Sequence, residues 1–95
     1  MAIEHDITRG GKAREVLENE VYIESFDIIK TEILNTWQQS PSRDLEGREK
    51  LFLMLSMLNK VQATLQSVAE TGKLAQAELN HKRTMMDRIK EFGGL

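Results

Sequence analysis

The chain has 95 residues, the size of one small domain, and its 40% hydrophobic content falls below the roughly 45–50% of ordinary globular chains. With 5% aromatic and 29% charged residues, the balance favours long amphipathic helices over a sheet sandwich. One Pro and no Cys exclude disulfide scaffolds, thiol nucleophiles and Cys-ligated zinc.

A net charge of −2, from 13 basic and 15 acidic side chains, lacks the overall basic footprint of nucleic-acid binders. The charge is uneven. Residues 1–40 carry four basic against eight acidic side chains, whereas residues 71–95 carry five basic against three acidic. An acidic front and a mildly basic tail attract one another between chains, within the screening length of about 8 Å at physiological salt. The first residues, Met1 to Asp6, lack the pattern of a signal peptide. The longest apolar run, Leu51 to Leu55, is far short of the roughly 20 residues of a membrane span. The expectation is a soluble, intracellular chain with no membrane association.

Residues 1–10 mix Ile3 and Ile7 with charges and end at Gly10-Gly11, which reads as a flexible N-terminal arm or a turn at the start of a helix. That leaves residues 11–95 as a single helical domain. From Lys12, Ala13, Val16 and Leu17 form a short stripe, and Tyr22, Phe26, Ile29, Ile33 and Trp37 continue at spacings of four, three, four and four. Glu18-Asn19-Glu20 slips the phase between the two stripes, so a kink or short break falls there. Asn19 can serve as N-cap of the second piece, with Glu20 favourable in its first turn. A front helix or pair of helices is thus expected over about 12–39.

Gln38-Gln39-Ser40-Pro41-Ser42 is the clear loop, centred on 40–43, because Pro cannot sit inside a helix. Either Ser40 caps the next helix with Pro41 at its first position, or Ser42 does with Asp44 and Glu46 near the positive helix end. Beyond it, Leu51, Leu55, Leu58, Val61, Leu65 and Val68 recur at threes and fours, and the phase continues through Gly72, Ala75, Leu79, Lys82, Met86 and Ile89. The fold class is therefore all-α: a helical hairpin with a kinked front helix and a long second helix over about 44–91. At 1.5 Å per residue that helix is roughly 70 Å long and the front part roughly 40 Å. Either Thr71-Gly72 breaks the long helix, or its distal stripe is covered by another copy. The continuous helix is favoured, since Gly inside a helix costs only about 1 kcal/mol and permits close helix approach. Leu74, Ala75, Leu79, Met86 and Ile89 then form an expected homo-oligomer seam.

No motif supports catalysis, a metal or a cofactor. His5 lies between Glu4 and Asp6, but on the expected arm, and a site needs rigid support. His81 neighbours Lys82 and Arg83, which repel a metal ion. Gly10-Gly11-Lys12 and Thr71-Gly72-Lys73 lack the glycine spacing of a phosphate loop. Lys82, Arg83, Arg88 and Lys90 are candidate nucleic-acid contacts, although Asp87 and Glu91 interrupt them and basic residues near a helix C-terminus also complement the dipole. Met54, Met57, Met85 and Met86 fit gap-filling core or an adaptable binding surface.

The stretch from Gly11-Lys12-Ala13-Arg14-Glu15-Val16-Leu17, through Ser40-Pro41-Ser42-Arg43-Asp44-Leu45-Glu46-Gly47-Arg48-Glu49, to Val68-Ala69-Glu70-Thr71-Gly72-Lys73-Leu74-Ala75 resembles a group of short, uncharacterised tailed-bacteriophage proteins. The resemblance implies a viral protein associated with head, portal or DNA-packaging functions, in the host cytoplasm during infection or in the virion; it carries over no activity and no catalytic residue. The leading expectation is a non-enzymatic structural or virion-assembly protein acting through homo-oligomerisation, with phage head or portal proteins as further partners. The alternatives are a small DNA-binding or packaging regulator resembling a small terminase component, and an inhibitor that binds a host protein through the acidic front helix.

Overall fold

The computed structural model describes residues 2–93, and among these the chain is entirely helical apart from one break and one loop. Helix α1 runs Ala2–Glu18, α2 Glu20–Gln39 and α3 Leu45–Gly93. Both α1 and α2 pack on α3, and the molecule is a rod of 79 × 24 × 18 Å. Its radius of gyration is 21.6 Å, against about 12 Å for a compact chain of this length. The rod follows from α3 itself, whose 49 residues extend about 74 Å.

The break between α1 and α2 lies at Asn19, as the phase slip requires. Its backbone is extended (φ −69°, ψ 123°) and its side-chain oxygen accepts from the Tyr22 backbone N–H at 3.0 Å, which makes it the N-cap of α2. The loop differs from both capping alternatives. Ser40 ends α2: its backbone N–H and its hydroxyl both donate to the Trp37 carbonyl. Asp44 starts α3, its carboxylate accepting from the Gly47 N–H at 3.0 Å and its carbonyl from the Arg48 N–H. A carboxylate is a stronger acceptor than a hydroxyl and also complements the positive helix end, so Asp44 takes the cap that Ser40 and Ser42 also offered. Arg48 closes the turn from the other side. Its guanidinium donates to the Trp37 carbonyl at 3.2 Å and the Ser40 hydroxyl at 3.0 Å, and lies 4.3 Å over the Trp37 ring. A cation at the exposed carbonyls of α2 satisfies groups that the helix end leaves unpaired.

Residues 2–10, expected as a flexible arm, are instead the first half of α1 and pack along α3. The physical reason is Gly10. A Cβ placed on it would stand 2.5 Å from the Gly72 Cα, and one on Gly72 would stand 2.6 Å from the Gly10 Cα. Two glycines thus let the backbones touch, and Ala13, Ala69 and Ala75 continue the same narrow, buried seam. Ile3, Ile7 and Leu17 flank it, each half-buried. Gly72 does not break α3; it lies where α1 presses hardest, and the helix runs through it.

Candidate interaction surface

Only Ala13, Phe26, Ile33, Ala69 and Ala75 are buried apolar residues among those described, and no large side chain is fully enclosed. The rod exposes 7708 Å², whereas a compact monomer of this mass exposes about 5,600 Å². What matters is where the exposed apolar surface lies.

The inner face of α3 repeats at fours and threes through Leu51, Leu55, Leu58, Gln62, Leu65, Ala69, Gly72, Gln76 and Leu79, all buried or half-buried. Gln62 stands where Val61 was expected, and Val61 turns outward. In the loop-proximal half, where Leu53, Met54 and Met57 widen the apolar face and lead one to expect more than one covering neighbour, much of that face is open. Phe52 is 63% and Met57 61% exposed, with Leu53, Met54 and Val61 beside them. On α2, Phe26 and Ile33 are buried, but Ile29, Leu34 and Trp37 are substantially exposed. The result is an apolar groove on each side of the α2–α3 contact. Ile29 and Ile33 face Leu53, Met54, Met57, Leu58 and Val61 across one. Ile33, Leu34 and Trp37 face Leu51, Phe52 and Leu55 across the other.

The expected oligomer seam divides. Ala75 is 7% exposed and shares the α1-facing side of α3 with Gly72, and Leu79 is half-buried one turn further on. Both are covered within the chain, because α1 reaches over the segment that was expected to lack a partner. Leu74, Met86 and Ile89 remain exposed. From His81 onward every described residue of α3 is exposed, so Met85, Met86, Ile89 and Phe92 form an uncovered stripe near its C-terminal end. On an α-helix at 100° per residue, Leu53, Met57, Leu74, Met85, Ile89 and Phe92 fall within about 100° of one another. They form an outer face that adjoins the α2–α3 groove at Leu53 and Met57, a second apolar direction that a single-stripe reading of the periodicity does not reveal.

The basic residues of this tail are also exposed. Lys82 is paired with Glu78 at 3.3 Å one turn away, while Arg83, Arg88 and Lys90 stand around Asp87 and Glu91 without forming a continuous basic face. His5 lies on α1 and His81 on α3, both exposed. Among the described residues, no group of three His, Cys, Asp or Glu side chains could hold a metal ion, and no helix is long and apolar enough to cross a membrane. Comparison with protein-family models, with curated proteins and with solved structures finds no match to this chain.

Proposed function

We propose that the protein is a non-enzymatic assembly component that works by helix-mediated self-association, a helical hairpin whose outer surface becomes core when copies meet. The observation that carries this reading is the open apolar band of Phe52, Leu53, Met54, Met57 and Val61 with Ile29 and Trp37 of α2. Contiguous apolar surface of this kind marks an interaction site in a water-exposed protein. The resemblance of its three sequence segments to short tailed-phage proteins supports a place in head, portal or packaging assembly, in the host cytoplasm or the virion. Contact with nucleic acid through Lys82, Arg83, Arg88 and Lys90 ranks lower, because Lys82 is engaged by Glu78 and acidic side chains interleave with the rest.

The mass in solution tests the reading. Sedimentation equilibrium at micromolar concentration is expected to return a dimer or higher multiple of 10.9 kDa; a strict monomer overturns it.

A further inference from the structure

The outer face of α3 is apolar at its two ends, with Lys60, Thr64, Ser67 and Thr71 between them, and the two ends match when a second helix runs the opposite way. Turn a second copy of α3 end over end and set the two-fold axis between residues 72 and 73. Leu53 then comes level with Phe92 and Met57 within one residue of Ile89, each pair lying on the same exposed face of its helix. The groove half of one copy meets the tail of the other, twice, as an isologous interface requires. The lengths agree. The groove residues 51–61 extend about 15 Å along α3, and the tail beyond Asn80 about 20 Å.

Charge chooses this orientation over a parallel one. Helix α2, which borders the groove, carries four acidic side chains and one basic, whereas residues 81–93 carry four basic and two acidic. Antiparallel copies set each basic tail against an acidic α2. Parallel copies would set tail against tail and α2 against α2, opposing like charges at both ends.

We infer that the occupant of the α2–α3 groove lined by Ile29, Ile33, Leu53 and Met57 is the C-terminal tail of α3 from a second copy, in an antiparallel two-fold dimer with Phe92 and Ile89 seated against Leu53 and Met57. This inference rests on the self-association reading and adds to it the segment and the direction.

Because the chain has no Cys, pairs of introduced thiols report the arrangement directly. Met57→Cys and Ile89→Cys variants are purified separately, checked for helical circular dichroism and mass, and oxidised alone and mixed. The mixture is expected to give a 57–89 disulfide-linked dimer, with neither variant crosslinking efficiently to itself. A dimer by sedimentation that crosslinks 57 to 57, or forms no 57–89 link, overturns the inference and leaves self-association standing. A strict monomer overturns both. As a second variant, Ile89→Asp with Phe92→Asp is expected to weaken the dimer by roughly a hundredfold or more while leaving the helical spectrum; unchanged dimer affinity overturns the inference.

Discussion

The two helices that pack on α3 do so in opposite ways. Helix α1 meets it through glycine and alanine, backbone against backbone, so that a seam made of almost no side-chain volume is the best buried part of the molecule. Helix α2 meets it through Phe26, Ile33 and Trp37, whose bulk holds the helices further apart and leaves apolar grooves on both sides. Apolar content and burial are therefore decoupled: the stretch of α3 beside α2, richest in large apolar residues, is less closed than the glycine and alanine stretch beside α1. Small residues close a two-helix contact on their own, whereas large ones need a third or fourth neighbour to fill the space they create.

If this contrast holds, the wide seam depends on a few anchors. Phe26→Ala is expected to destabilise the chain by about 3 kcal/mol, in line with emptying a buried aromatic site. Ile28→Ala, on the exposed side of the same helix, is expected to change stability by less than about 0.5 kcal/mol. Urea unfolding at one fixed protein concentration measures both, since association itself shifts apparent stability. Similar losses at the two positions would mean that α2 is buried evenly, and the contrast would fail.

The turn that joins the two seams sets a smaller effect. Asp44→Ala removes the side-chain acceptor of the Gly47 N–H at the start of α3, and is expected to cost about 1 kcal/mol. Asp44→Asn, which keeps an acceptor oxygen, should recover most of that loss in the same unfolding experiment. If alanine is tolerated fully, Arg48 and its bonds to Trp37 and Ser40 hold the turn by themselves.

Much of this arrangement is legible in the sequence, and the parts that are not have physical causes. The phase slip at Glu18-Asn19-Glu20 marks the helix break and Asn19 its cap, because both signals are local. The stripe on α2 identifies Phe26 and Ile33, and the continuity of α3 through Gly72 follows from the small penalty of one glycine. Residues 2–10 are not legible, since Gly10-Gly11 argues locally against a helix, and only the neighbouring backbone at Gly72 explains why a helix forms there. For the same reason the cover that α1 gives to Ala75 and Leu79 is not legible, whereas Leu74, Met86 and Ile89 are exposed as the distal stripe predicts. Periodicity shows which positions face inward, but gives no distance between helices. That distance decides that Ala75 is sealed and Met57 is not.

The tight seam has an internal control one residue away. Gly10 and Gly11 are adjacent in one helix and equally poor helix formers, yet a Cβ on Gly10 would meet the Gly72 Cα at 2.5 Å while one on Gly11 would meet nothing within 4 Å. Gly11→Ala is therefore expected to stabilise the chain by about 0.5–1 kcal/mol, the gain from removing a flexible residue in a helix. Gly10→Ala makes the same local gain but must move two backbones apart, an overpacking cost of typically 1–3 kcal/mol. Its net effect is a loss of about 1 kcal/mol. The sign of the difference between two adjacent, chemically identical substitutions isolates the contact with α3 from helix propensity. If both alanines stabilise, the helices at Gly10 and Gly72 have room to part, and the seam is not set by backbone contact.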